Sequence, residues 1–275
     1  MKNVNFYKMH GLGNDFVIFF EKHNFLEKET IKSLSDRRTG IGCDLIVVLE
    51  DGNEIYDSSA KFFNSNGTEA EICGNALRCV GKLLYEKLKK NILVVETMSG
   101  LIEVEVLGNN KFQVDLGSPR FEWDQIPLTR SCLTNDLNFN LGNLQGGFAL
   151  NLGNPHIIFF NNSFNEKEFI RHSKKVASSK IFVDGVNVSN VEIKSKEFIV
   201  AHTYERGCGL TKACGSGACA SVVAANKLNL CNKKVTVKMT GGELEVEISD
   251  DDHILMIGHA VEVYKGEITI RNDKK

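Results

Sequence analysis

The chain has 275 residues, 42% of them hydrophobic and 25% charged, with 24 glycines and 3 prolines. That composition excludes collagen-like and disordered classes, and the length accommodates about two domains with real cores. Lys and Arg (33) nearly balance Asp and Glu (35), leaving a net charge of -2, so no global field draws the chain to phosphate backbones or anionic lipid and neither partner is expected.

In chain order, alternating apolar runs predict strands at 4–9, 16–20, 45–50, 92–98, 101–107 and 111–116, then at 147–152, 156–160, 186–193, 197–204, 234–239, 243–248, 253–258 and 261–265. Helical spacing marks segments near 28–37 and 165–177, and two more helices open at Cys73-Gly74 and Cys214-Gly215. The first of these runs to about Lys90 and carries Leu77, Val80, Leu83 and Leu84; the second runs to about Leu230 with Val222, Val223 and Ala224. So little polar surface places both helices in cores. The chain starts without an apolar leader, and its longest apolar runs, such as Leu45 to Leu49, fall far short of the roughly 20 residues that span a bilayer. A cytoplasmic location is expected.

The chain repeats itself. Cys73-Gly74 and Cys214-Gly215, Ser99-Gly100 and Thr240-Gly241, and Gly117 and Gly258 share one offset of 141 residues. Gly13-Asn14 and Gly153-Asn154 follow with a slip of one residue. This is the pattern of an internal duplication. The expected fold is α/β (α+β), in two pseudo-symmetric halves that each wrap a curved, mostly antiparallel sheet around a central helix. The expected domains are 1–118 plus 264–275, carrying Cys73, and 119–263, carrying Cys214, with the active site between them.

Eight cysteines are too sparse for a disulfide scaffold, and none forms a Cys-x-x-Cys pair suited to zinc. No metal is expected. Cys73 and Cys214 differ from the other six in sitting at matched predicted helix N-termini. There the positive helix end lowers a thiol pKa toward neutrality, and unpaired backbone N–H groups receive a carboxylate. Two such thiols on opposite faces of one substrate meet the needs of a racemase, in which one group removes a proton from carbon and another returns it to the other face. The stretch Gly11-Leu12-Gly13 lacks the third glycine and the acidic partner of a dinucleotide fingerprint.

Six motifs carry a family resemblance. Lys8-Met9-His10-Gly11-Leu12-Gly13-Asn14-Asp15-Phe16, Asp36-Arg37-Arg38-Thr39-Gly40-Ile41-Gly42 and Cys73-Gly74-Asn75-Ala76-Leu77-Arg78-Cys79 lie in the first half. Gly153-Asn154-Pro155-His156, Glu205-Arg206-Gly207 and Ala213-Cys214-Gly215-Ser216-Gly217-Ala218 lie in the second. In order and nearly end to end, the chain resembles diaminopimelate epimerases. The resemblance implies a cofactor-independent isomerase that interconverts LL- and meso-diaminopimelate for lysine and peptidoglycan precursors. It implies Cys73 and Cys214 as the acid/base pair, with His156 assisting Cys73 and Glu205 assisting Cys214. Asn14, Asn64, Asn154, Asn187, Glu205 and Arg206 would line the substrate pocket, while Gly74, Asn75, Gly215 and Ser216 would donate backbone N–H groups to the reacting carboxylate.

On physical grounds a neutral His156 can take a proton from a thiol, and a planar Arg206 guanidinium can grip a distal carboxylate. A lysine substrate would then leave that guanidinium buried and unpaired. Relatives are often homodimers, so the partners implied are a small-molecule substrate and a second copy of the chain. Leu45 stands where many members carry glutamine, which puts one polar substrate contact in doubt; Leu77 and Leu210 also depart from the usual pattern. Two rivals remain open: a proline or hydroxyproline racemase of the same fold group, and a thiol redox sensor in which Cys73 and Cys214 form a regulatory disulfide.

Overall fold

A computed structural model describes residues 2–21 and 26–270; the tail 271–275 of the expected first half lies outside them. The elements run β1 (Lys2–Gly11), β2 (Asn14–Phe20), α1 (Lys28–Ser35), β3 (Leu45–Asp51), β4 (Ser58–Asn64), β5 (Glu69–Ala70), α2 (Gly74–Leu88), β6 (Ile92–Thr97), β7 (Gly100–Gly108) and β8 (Lys111–Asp115). They continue with β9 (Phe139–Leu141), β10 (Leu144–Gly146), β11 (Phe148–Asn151), β12 (Pro155–Phe160), α3 (Glu166–Ala177), β13 (Asn187–Ser195), β14 (Phe198–Glu205) and β15 (Gly209–Leu210). The last are α4 (Gly215–Lys227), β16 (Lys234–Met239), β17 (Gly242–Ile248), β18 (Ile254–His259) and β19 (Val261–Ile270). The chain divides into two compact units, Met1–Val114 with Gly258–Lys275, and Asp115–Ile257.

The two units are built to one plan. In the first, β1 pairs antiparallel with β2, β2 parallel with β3, β3 antiparallel with β4, β4 parallel with β6, and β6 and β7 continue antiparallel. In the second, β11, β12, β13, β14, β16 and β17 repeat those senses one for one. Registers match as well: Phe16 opposes Leu45 as His156 opposes Asn187, and Ser58 opposes Val95 as Phe198 opposes Thr236. Among the described residues, the first unit alone gains a further long strand, β19, which runs antiparallel along nearly the whole of β1.

Each unit holds a core helix. The α2 helix packs on β1, β2, β6 and β7, and α4 on β11 to β14, β16 and β17. Ten of the thirteen α4 residues are buried, from Gly215 to Ala225. A second helix covers the other sheet face: with α1, Val17, Phe19, Ile46 and Val48 join Ile31 and Leu34, and with α3, Ile157, Phe159 and Val188 join Phe169 and Val176. Phe16, Ile18, Val47 and Leu49 are buried too. Strands covered on both faces lose alternation, which is why β2 and β3 read as continuous apolar runs.

Five short or atypical strands escape the hydrophobic pattern. In β4 the inward positions 58 and 60 are Ser and Ala, small enough to lie beneath a neighbouring element without an apolar signature. The β9–β10 hairpin and the two-residue β5 and β15 are shorter than any periodicity can report.

Candidate active site

In the first unit the site begins with a tight turn. Leu12 and Gly13 both take positive φ, 57° and 82°, which is the two-residue hairpin geometry that matches strand twist. It places Asn14 at the first position of β2, opposite Gly11. Cys73 caps α2 in extended conformation, φ -139° and ψ 101°. Its Sγ lies 3.9 Å from Asn14 Oδ1, and Asn75 Nδ2 reaches the same oxygen at 3.3 Å. Asn64 ends β4 opposite Leu45, and its Nδ2 donates to Thr68 Oγ1 at 3.0 Å.

The second unit repeats this frame with more chemistry. Cys214 caps α4, and its Sγ accepts from the backbone N–H of Gly217 at 3.4 Å and lies 3.7 Å from Ser216 Oγ. A side chain at Gly217 would meet Thr203 Oγ1 at 2.7 Å and crowd the Cys214 sulfur, so the helix start stays narrow around the thiol. His156 Nε2 lies 2.8 Å from Asn154 Oδ1 and 3.1 Å from Ser216 Oγ. The Asn154 carbonyl oxygen can only accept, so Nε2 carries the imidazole proton. Asn187 Oδ1 accepts the backbone N–H of Arg206 at 2.9 Å, and Thr211 Oγ1 donates to Glu205 Oε1 at 2.5 Å.

The thiol of Cys214 departs from the expectation of a lowered pKa. Burial pushes it well above the ordinary thiol value, and the Glu205 carboxylate adds to the shift by charge and by accepting a hydrogen bond. The Ser216 hydroxyl and the Gly217 N–H pull the other way without winning. Cys214 therefore rests as a thiol beside a base. His156, fully buried, is held down to about 3 by burial and then by the charge of Arg206, so it is neutral at any working pH. Arg206 itself is exposed, with its Nη1 donating to the Asp184 carbonyl at 3.1 Å. The expected buried guanidinium is thus corrected to a solvated one, because the turn after β14 carries it outward.

In the repeat, Phe16 and Leu45 stand where His156 and Asn187 stand. The duplicated frame has kept its imidazole and amide in the second unit alone. Sequence reasoning named Asn14 and Asn75 but missed the two charged residues that orient them. Asp44 Oδ2 accepts from Asn14 Nδ2 at 2.9 Å, and Arg78 Nη2 donates to Asn75 Oδ1 at 2.9 Å. Arg78 had a signal, as a charged residue one turn beyond Asn75 on an otherwise apolar helix face.

The fold and its matched helix starts define a protein of two duplicated α/β halves, each with a cysteine capping its core helix. Similar solved structures include a phenazine biosynthesis protein of the PhzF family from Bacillus anthracis (TM-score 0.71, 16% identity, 98% of this chain and 100% of that one). A hydroxyproline epimerase from Agrobacterium vitis with bound trans-4-hydroxy-L-proline matches with a TM-score of 0.70, 9% identity, and 98% and 94% coverage. At such identities these share the fold alone. The family model described as diaminopimelate epimerase matches residues 6–122 and 148–263. Diaminopimelate epimerases from Erythrobacter litoralis (38% identity, 96% of each chain) and Gluconobacter oxydans (39% identity, 96% of this chain and 98% of that one) are similar throughout. The chain belongs to the diaminopimelate epimerase family. That membership sets aside both the redox sensor and the proline-type racemase. Among the described residues, no helix is long and apolar enough to cross a membrane.

Proposed function

We propose that the chain interconverts LL- and meso-2,6-diaminopimelate without a cofactor, in lysine and peptidoglycan precursor synthesis, by moving a proton at one α-carbon between Cys214 and Cys73. The observation that carries this reading is the matched pair of cysteines capping equivalent core helices, one of them against a carboxylate. Glu205 accepts the Cys214 thiol proton, and the thiolate then takes the α-proton, so the Cα–H bond breaks and a new S–H bond forms. The electron pair left on carbon spreads into the substrate carboxylate. First-turn N–H groups of Gly74, Asn75, Gly215 and Ser216 meet that growing charge. Cys73, held as a thiol at Asn14, gives its proton to the opposite face and becomes the base for the return reaction.

His156 serves as a fixed donor through Nε2 and orders Asn154 and Ser216 rather than accepting a proton from either cysteine. Asn64, Asn187, Glu205 and Arg206 bind the substrate. The reading extends to a cytoplasmic enzyme that acts as a homodimer on a small molecule, with sedimentation as the test of assembly. The deciding experiment is incubation with LL-diaminopimelate in deuterated water. Inversion with one deuterium at the α-carbon is expected; no inversion by the intact enzyme would remove this function, and inversion without label would remove the two-cysteine proton route. Cys73→Ala and Cys214→Ala should each abolish turnover, and the double variant should be no worse.

A further inference from the structure

We propose that Asp44 is a positioning residue, whose carboxylate fixes the direction of the Asn14 amide and thereby holds Cys73 in the thiol form that donates a proton. The proposal rests on the assignment of Cys73 as an acid/base group. A carboxamide has one accepting and one donating end of nearly equal shape, so its direction must be set by neighbours. Asp44 Oδ2 lies 2.9 Å from Asn14 Nδ2. A carboxylate only accepts, so the amino end of Asn14 faces Asp44 and the oxygen end faces Cys73 Sγ and Asn75 Nδ2. Arg78 fixes the other end of the row, because its guanidinium only donates and claims Asn75 Oδ1. Arg78 is fully buried, so this anchor cannot swing into solvent. From guanidinium to carboxylate, each amide has one direction open to it.

The consequence falls on the sulfur. An oxygen that can only accept favours S–H over S⁻, whereas an inverted Asn14 would present N–H groups and favour the thiolate. Asp44 is held firmly enough to enforce this. Its Oδ1 accepts from Arg37 Nη2 at 2.7 Å, its Oδ2 also accepts the Asp15 N–H at 3.1 Å, and its own N–H donates to Asp15 Oδ1 at 3.1 Å. Lys8 donates to Asp15 Oδ2 at 2.5 Å and to the Gly42 carbonyl. Burial alone would raise the Asp15 carboxyl, yet Arg37 and Lys8 hold it well below the usual carboxylate range.

The test is the pH profile of Cys73 alkylation by iodoacetamide in the intact protein without substrate, read by peptide mass mapping, together with steady-state kinetics. Asp44→Ala leaves Asn14 held only by the longer 3.3 Å contact from Asn75, so the inverted amide becomes populated; Cys73 should alkylate about tenfold faster at neutral pH, and kcat should fall about tenfold with a smaller change in KM. Asp44→Asn removes the charge but keeps a carbonyl oxygen, which stays on the side of two donors, Asn14 Nδ2 and the Asp15 N–H, so its profile should follow the wild type. Equal acceleration in both variants would assign the effect to charge and overturn the proposal, as would an unchanged profile in Asp44→Ala. If Asp44→Ala lacks a cooperative thermal transition, Asp44→Ser, whose hydroxyl is too short to reach Asn14, carries the same expectations. Turnover retained by Cys73→Ala would sink the functional reading while leaving the alkylation result standing.

Discussion

Asn187 Oδ1 accepts the backbone N–H of Arg206 at 2.9 Å, so the first residue of β13 is tied to the turn that follows β14. That bond sets where Glu205 and Arg206 leave the strand. Asn187→Ala removes the acceptor at a cost of about 1 kcal/mol, and KM for diaminopimelate should rise about five- to tenfold with a smaller change in kcat. Asn187→Asp, which keeps an acceptor oxygen, should recover most of the loss. Equal losses of kcat and KM effect in the two variants would count against a positional role.

His156 gives a stability signature with a definite sign. Its folded pKa of about 3 lies below the ordinary 6.5, so between these values the unfolded chain binds the extra proton. The stabilisation is complete above about pH 6.5 and is lost as pH falls toward 3. The difference in unfolding free energy between the wild type and His156→Gln should shrink by up to about 1.4 kcal/mol per pH unit between pH 6 and 4. Denaturant titration at several pH values measures it. A difference that stays flat across the window would mean that His156 titrates normally.

Much of this was legible in the sequence, and the part that was not has physical causes. Periodicity found the long strands and both core helices because Leu77, Val80, Val222 and Val223 report burial directly. The repeat matched Cys73 to Cys214 before any geometry. Periodicity does not report β4, where Ser58 and Ala60 face inward. It also gives no sense of scale between opposing effects on one group: the helix end and the Glu205 carboxylate pull Cys214 in opposite directions, and burial decides the outcome. Asp44 is visible as a residue, but its role appears only when β2 and β3 lie side by side in parallel register.

Glu205 should separate thiol acidity from turnover. Glu205→Gln removes the charge that raises Cys214 and leaves an amide in place of the base. The Cys214 thiol should titrate lower, seen as thiolate absorbance in the difference between Glu205→Gln and Glu205→Gln/Cys214→Ser. Epimerisation should nevertheless fall about a hundredfold, the usual loss for a general base. Faster turnover, following the more acidic thiol, would show that Glu205 is no base.

Gly11 makes room for Arg78. A Cβ at Gly11 would stand 2.7 Å from Arg78 Nη2 and 3.3 Å from the Asn75 carbonyl oxygen, and the guanidinium has no solvent to retreat into. Gly11→Ala should therefore destabilise by about 1–3 kcal/mol and raise KM by loosening Asn75. Thermal unfolding and steady-state kinetics check both. An unshifted melting transition would mean that Arg78 has slack the geometry does not suggest.

If Arg206 binds the far carboxylate, as proposed above, specificity for a substrate with two amino-acid ends depends on what happens to Arg206 when that carboxylate is missing. A buried guanidinium would lose several kcal/mol and all but exclude lysine. Arg206 is exposed and already donates to the Asp184 carbonyl, so water can replace a missing partner at modest cost. What diaminopimelate gains over lysine is then a charge-assisted pair worth about 1.5–3 kcal/mol, or roughly ten- to a hundredfold in kcat/KM. Arg206→Lys should retain part of that preference as a point charge, and Arg206→Ala should lose most of it, mainly through weaker turnover of diaminopimelate. Competition between the two substrates, followed by deuterium incorporation at each α-carbon, measures the ratio. Discrimination of ten-thousandfold that survives Arg206→Ala would place the selecting contact elsewhere in the chain.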